Sequence, residues 1–475
     1  MNSLSRRGFI AATAAAIAAP QMPRLGFAQT ANPIALSATT RTLDINGRAA
    51  TVFGLAGPTG QGLTLDPGQR FRVDLTNNLE VPTIVHWHGQ IPPNAQDGVP
   101  NTVPLMAPGE RRSYDFAPRP GTYWMHAHVV THEMRLLAAP LIVRTPEDLS
   151  ADQQEVVLFL HDFSFKTPDE VLAEIAAGGT DHGNADATPG TAAMGDMAGM
   201  GGMSMDLNDY NWDAYLANDR TLADPEVVPV ERGGRVRLRV INAAAATVFW
   251  IDTGKAEAQL IAVDGDPVQP LTGTRFGLAM GQRLDFEIDL PGEGGAWPIL
   301  ALREGAREQT GIILATPGAE VRRIAALTDA DAPAFDSDLA QEAQLVALHP
   351  LPGRPVQRSQ MVMLAGAMKP YVWTINGAVW GQHQPIAARS GERVSLTFHN
   401  MSMMGHPMHL HGHVFQVVGV NGRRLAGALR DTVYVPPMTM IEIALDAGEA
   451  APWMLHCHQM AHMATGMMTE FAVTA

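Results

Sequence analysis

The 475-residue chain has one cysteine, Cys457, and almost no lysine: Lys166, Lys255 and Lys369 are the whole supply. A lone cysteine excludes an internal disulfide and any four-cysteine zinc site. The formal net charge of −15 argues against a nucleic-acid backbone as partner. No apolar run reaches the roughly 18 residues of a membrane-spanning helix, and helical periodicity is scarce. What the chain does have is core material, at 46% hydrophobic residues, which marks a globular protein and not a disordered one. At roughly 150 residues per domain the length suggests about three domains. It also holds 17 histidines and 25 methionines, a large supply of borderline and soft metal ligands.

The N-terminus reads as an address. Ser5-Arg6-Arg7-Gly8-Phe9-Ile10 is a twin-arginine signal, and the alanine-rich run to Ala19 follows it. Residues 1–28 are expected to be removed on export to the periplasm, which takes away Arg6, Arg7 and Arg24 and leaves the chain more acidic still. In an oxidising compartment a lone cysteine is not kept for a disulfide, so Cys457 needs another chemical partner.

One unit is repeated three times. Gly68–Asn77 (GQRFRVDLTN) recurs as Gly233–Asn242 (GGRVRLRVIN) and Gly391–Asn400 (GERVSLTFHN). Each is a turn followed by an alternating apolar and polar run, the pattern of a half-buried strand. A second echo keeps the register: Tyr123-Trp124-Met125-His126, Ala296-Trp297-Pro298-Ile299 and Trp453-Met454-Leu455-His456. Short strands at regular spacing predict an all-β chain of sandwiches or barrels, with domains at about 30–145, 150–325 and 340–475. A short helix is expected over Pro168–Ala177. Residues 176–206 form a glycine- and methionine-rich insertion in the second domain, carrying Met194, Met197, Met200, Met203 and Met205. Glycine disfavours a helix there, and repeated thioethers suit capture of cuprous ion.

Ten histidines concentrate in four strings: His86-Trp-His88, His126-Ala-His128, His406-Pro-Met-His409-Leu-His411 and His456-Cys457-His458 with His462 after it. The first two lie in the first unit and the last two in the third. The middle unit has the strands without the histidines, so it reads as a spacer. On a strand, residues i and i+2 face the same side, about 6–7 Å apart. Four such pairs bring eight imidazoles to one seam, more than a single metal uses. In His456-Cys457-His458 the thiolate must face away from its neighbours, toward a different metal. His406, His462 and Met467 remain to complete that site, and two nitrogens, a thiolate and a weak thioether form a blue-copper ligand set. His132, His161, His349, His383, His399 and His413 stand alone and read as ordinary polar residues.

The string His456-Cys457-His458-Gln-Met-Ala-His462-Met-Ala-Thr-Gly466-Met467, together with the other three, resembles the multicopper oxidases, in their three-domain, laccase-like bacterial branch. The resemblance implies three cupredoxin-like Greek-key domains and four coppers. His406, Cys457, His462 and Met467 would hold the type 1 copper, and His86 and His409 the type 2 copper. His88, His126 and His458 would hold one type 3 copper, and His128, His411 and His456 the other. It implies oxidation of a small reductant coupled to reduction of O₂ to water. Asp97, in Gln96-Asp97-Gly98, resembles the family's proton-handling carboxylate near the type 2 copper. Many bacterial members carry an acid directly after the second type 1 histidine, where this chain has Met463. Members that oxidise cuprous ion carry methionine-rich inserts, and Met404 resembles one ligand of their substrate-copper site, although Ser402 replaces its aspartate. The expected reductant is therefore Cu(I), with phenols and aromatic amines as further substrates, in a role of copper tolerance. A phenol-oxidising laccase and a non-catalytic copper-binding protein are the alternatives. Neither a membrane span nor a nucleic-acid partner is expected, and a monomer is.

Overall fold

The computed structural model describes residues 32–178, 207–336 and 338–475. The signal over residues 1–28 and Met194, Met197, Met200, Met203 and Met205 lie outside the described residues. The described chain is mostly β, as expected, in six sheets. A five-stranded sheet containing Ile34–Ile45 and Phe71–Asn77 is followed by a four-stranded one containing Val85–His88, Gly121–Ala127 and Ala138–Val143. Sheets of six and five strands form the middle of the chain. The last part has a seven-stranded sheet with Arg358–Met368, Arg393–Asn400 and Met440–Asp446, and a five-stranded one with His406–Leu410 and Pro452–Cys457.

The repeated string does the same work three times. Phe71–Asn77, Arg235–Asn242 and Arg393–Asn400 are all strands. Each lies parallel to the first long strand of its unit and antiparallel to a later one: Arg111–Phe116, Arg283–Asp289 or Met440–Asp446. The terminal asparagine, fully buried each time, plugs the turn that follows. Asn77 Nδ2 donates to Val81 O and Met106 O, and Asn242 Nδ2 to Thr247 O and Leu278 O. Asn400 Nδ2 donates to Met404 O, Val435 O and Pro436 O. An asparagine can satisfy several buried backbone groups at once, which an apolar residue cannot.

Alternation along these strands sends apolar side chains inward. One continuous core runs through the middle and last units, from Leu158 to Val473, while the first unit has its own core around Phe71, Trp87 and Tyr123. The helix Pro168–Ala176 forms as expected. Thr167 and Glu170 build a capping box at its start, and Val171 and Ile175 are its buried face.

Candidate metal centre

Strand pairing decides which way each histidine points. His409 is the cross-strand partner of His456, and Met408 that of Cys457. Neighbours across a ladder share a face, and successive residues alternate. His409 and His456 therefore face one side, with His411 two residues on. Cys457, Met408 and His406 face the other. In the first unit His86 pairs with His126 and His88 with Trp124, while Trp87 and Met125 pair on the opposite face and enter the core.

The eight paired imidazoles converge. Their ring centroids stand 3.9 Å apart for His86 and His411, 3.8 Å for His88 and His409, 5.1 Å for His126 and His458 and 5.2 Å for His128 and His456. All eight are buried. The seam is thus built from the first and third units, and residues 86–88 and 456–458 meet in it.

Hydrogen bonds fix which ring nitrogen is free. His86 Nδ1 donates to Asp97 O (2.8 Å), His409 Nδ1 to Asp431 O (2.9 Å), His411 Nδ1 to Asp97 Oδ2 (2.9 Å) and His456 Nδ1 to Cys457 O (3.0 Å). Each leaves an Nε2 lone pair facing inward. His411 Nε2 and His456 Nε2 are 3.0 Å apart, and His86 Nε2 and His409 Nε2 are 3.5 Å apart. Two acceptor lone pairs held that close repel unless a cation lies between them. His88 is turned the other way, its Nε2 donating to Thr432 Oγ1 (3.0 Å) and Asp431 Oδ1 (3.2 Å), so Nδ1 is its free nitrogen. His88 Nδ1, His126 Nε2, His128 Nε2 and His458 Nε2 are buried with no hydrogen-bond partner. Buried polar atoms are rarely left so, and this pattern fits metal ligands.

The second cluster lies across the strand. Cys457 Sγ is 3.5 Å from His462 Nδ1 and 3.7 Å from His406 Nδ1, and the two nitrogens are 3.1 Å apart. His406 Nε2 donates to Ser402 Oγ (2.9 Å), which donates in turn to Asn400 Oδ1 (2.8 Å). The His406 lone pair at Nδ1 is therefore aimed at the sulfur. Met467 is fully buried, and its carbonyl accepts from Cys457 N (3.1 Å). His462 sits on the short helix Met460–Ala464, and Trp373 packs on its ring at 4.1 Å.

Electrostatics agree with neutral ligands. His88, His126, His128, His406, His409 and His411 are held well below the ordinary imidazole range, first by burial and then by neighbouring histidines. Burial lowers His456 and His458 to about 3. A neutral imidazole is the metal-binding form. Burial also pushes the Cys457 thiol far up, so its thiolate needs a cation as counter-charge.

Three carboxylates support the eight-histidine cluster. Asp97, expected from sequence, is buried between His86 and His411, and its Oδ1 makes no hydrogen bond. Two others carry no sequence signal of their own. Asp431, from the third unit, faces His88 and is paired with Arg283 of the middle unit. Glu133 accepts from His126 Nδ1 (2.8 Å), its Oε1 lies 4.0 Å from His458 Nδ1, and burial raises its carboxyl to about 7. Its signal is faint: one acid on the four-residue helix after His126-Ala-His128. Metal-ligating histidines commonly give their other N–H to such acceptors.

The middle unit does more than space the others. Arg283, fully buried, neutralises Asp431 and bonds Thr122 O of the first unit (3.1 Å). Gln282 Nε2 donates to Thr432 O (3.1 Å). A Cβ on Gly281 would reach within 3.0 Å of the His458 ring and 3.2 Å of His88. A backbone wall leaves no residue-type signature, which is why the missing histidines conceal it.

The solitary histidines behave as ordinary polar groups where contacts are seen. His132 bonds Thr83, His161 bonds Ala243 O, and His413 bonds His411 O and Gly448 N.

Three multicopper oxidase domain families match the chain, at residues 38–148, 154–316 and 353–475. The chain is 32% identical over 416 residues to the multicopper oxidase MmcO of Mycobacterium tuberculosis, covering 85% of this chain and 79% of that protein. It is 24% identical to copper resistance protein A of Escherichia coli, covering 88% of each, and 25% identical to laccase-2 of Botryotinia fuckeliana, covering 91% and 80%. Among solved structures, Fet3p, a multicopper oxidase that functions in iron import, superposes with a TM-score of 0.74 at 15% identity, covering 92% of this chain and 90% of that one. The multicopper oxidase of Pseudomonas thermotolerans gives 0.68 at 23% identity, covering 93% and 99%.

Proposed function

The chain belongs to the multicopper oxidases, oxidoreductases that use O₂, and from this we propose that it oxidises cuprous ion, and more slowly phenols and aromatic amines, in periplasmic copper tolerance. Four coppers would be held. His406, Cys457, His462 and Met467 take the type 1 ion, and His86 and His409 the type 2. His88, His126 and His458 take one type 3 ion, and His128, His411 and His456 the other. When bound, these ions supply one-electron oxidation of the reductant at the first site and four-electron reduction of O₂ to two waters at the cluster of three.

The observation that carries the reading is the opposed pointing of Cys457 and its neighbouring histidines. One peptide segment joins the two clusters, so the backbone from Cys457 to His456 and His458 is the covalent link between oxidation and reduction. Burial of every proposed histidine and cysteine ligand excludes bulk water. The four protons consumed per O₂ come ultimately from solvent and must then be relayed inward by side chains that reprotonate between transfers. Asp97 can hold one at Oδ1, and Glu133 can hold one at Oε1. Its carboxyl, at about 7, is matched to neutral pH, and it stands on the cluster side, where it offers what Met463 cannot.

Three observations favour Cu(I) over phenols as reductant. Met404 is buried two residues before His406. The residues flanking the methionine-rich stretch stand by the type 1 ligands: Gly178 packs on Lys369, two residues before Tyr371, and Asp209, two residues after Leu207, accepts from Tyr371 Oη (2.7 Å) and lies 3.4 Å from His462 Nε2. Three relatives are named for copper resistance. Steady-state turnover of Cu(I) and of a dimethoxyphenol, with and without residues 176–206, tests the choice. Deletion is expected to lower Cu(I) turnover by about tenfold or more and to spare the phenol. Unchanged Cu(I) turnover with a faster phenol reaction makes the protein a laccase.

A further inference from the structure

Four methionines among the described residues are more than a third exposed: Met361, Met363, Met401 and Met438. Met361 and Met363 lie on one strand of the seven-stranded sheet, Met401 directly follows the end of a second, and Met438 lies in the turn before a third. Arg358–Met368 pairs in parallel with Arg393–Asn400, which pairs antiparallel with Met440–Asp446. In that ladder Met363 is the partner of His399, and His399 that of Met440. The inward neighbours Val362, Leu364, Phe398, Asn400 and Ile441 are fully buried, so by alternation Met363, His399 and Met440 stand side by side on the outer face. Met361, two residues before Met363 on the same strand, shares that face; Met401 lies just past the strand end, and Met438 in the left-handed turn that leads to Met440.

Exposed positions on a sheet are ordinarily polar, as Ser359, Thr397 and Glu442 on this face are, so thioethers at Met361, Met363 and Met440 need an explanation. Cross-strand neighbours have Cβ atoms about 4.5–5.5 Å apart, and methionine has three rotatable bonds to bring its sulfur onto a shared point. The His399 imidazole makes no hydrogen bond or ion pair among the described residues. The nearest carboxylate in the ladder, Glu442, is engaged by Ser395 and Arg424. Two thioethers flanking one imidazole match cuprous ion and disfavour a hard dication.

We propose that Met363, His399 and Met440 form a surface site for Cu(I), with Met401 beside it. It lies outside the four-copper set, and its strand leads through Asn400 and Ser402 to His406. Its use in feeding the enzyme rests on the Cu(I) reading above; its existence does not.

Silver(I), a redox-inert stand-in for Cu(I), tests it. The ion is titrated into the copper-loaded, full-length protein by equilibrium dialysis against a competing ligand, in wild type, in His399→Leu and in Met363→Leu with Met440→Leu. Both variants are expected to lose one silver per chain or to bind it at least about tenfold more weakly, with the type 1 absorption intact as proof of folding. Silver is also expected to protect His399 from carbethoxylation. Equal silver binding in all three proteins, or no protection, overturns the site. If silver binds here and Cu(I) turnover is negligible, the substrate reading fails and the site stands; if turnover is brisk and the variants bind silver like wild type, the site fails alone.

Discussion

Glu133 and Asp97 reach the histidine cluster from different sides, and each has one oxygen occupied by an imidazole and one without a hydrogen bond. Their identity as acids is what the account uses, since Gln and Asn keep the shape and a hydrogen-bond acceptor. Glu133→Gln is expected to slow reoxidation of the reduced enzyme by O₂ by about 100-fold or more and to leave reduction of the type 1 site unchanged. Stopped-flow measurement of the two half-reactions checks it, and equal slowing of both halves would assign Glu133 a structural role. At this scale the sequence shows the clustered histidines and hides their supports. His86, His88, His126, His128, His409, His411, His456 and His458 are legible because strand alternation makes a spacing of two meaningful. Asp431 and Glu133 are not, because a carboxylate that reaches a histidine from another strand or helix has no fixed offset from it. His399 is hidden for the same reason: Met363 and Met440 come to it from strands far away in the chain.

The strand that ends in asparagine is the element on which the fold repeats, and its three copies form a controlled comparison. Asn242→Ala and Asn400→Ala both strand buried backbone carbonyls, and each is expected to cost about 2–3 kcal/mol of stability. Only Asn400 also holds Ser402, through its backbone N–H (2.9 Å) and its hydroxyl, and Ser402 in turn holds His406. The type 1 visible spectrum is therefore expected to shift in Asn400→Ala and to stay unchanged in Asn242→Ala, with denaturant unfolding giving the stability change. A shift in both, or in neither, would separate this element from the metal site. The repeat was readable because all three copies keep the glycine, the arginine two residues on, the apolar alternation and the final asparagine. What the asparagine does was not, because its acceptors lie in other segments: Met106 for Asn77, Leu278 for Asn242 and Val435 for Asn400.

Across the whole molecule, the buried imidazoles tie stability to pH and to copper. In the folded chain His456 and His458 stay neutral down to about 3, whereas the unfolded chain takes up protons near the ordinary value of about 6.5. Below that pH the unfolded state binds more protons, so stability falls with pH, by about 1.4 kcal/mol per pH unit for each such histidine. Glu133 acts oppositely: its raised value means stability is lost as pH climbs from its ordinary range to about 7. The histidines outnumber it. Copper-free protein is expected to unfold cooperatively between about pH 6 and pH 4, and the copper-loaded form at lower pH, because bound metal competes with protons for the same nitrogens. Circular dichroism across a pH titration gives both midpoints, and coincident midpoints would count against the histidine assignment.

On the proposed reading one strand end serves two metal sites, with Cys457 on one face and His456 and His458 on the other. Copper analysis with visible and electron paramagnetic resonance spectra, on reconstituted wild type and Cys457→Ser, tests it most directly. Four coppers per chain are expected in wild type, and in the variant three, with the intense visible band gone and the type 2 signal kept. Markedly fewer than four in wild type, or a Cys457→Ser protein that keeps its colour or empties both clusters together, would contradict it.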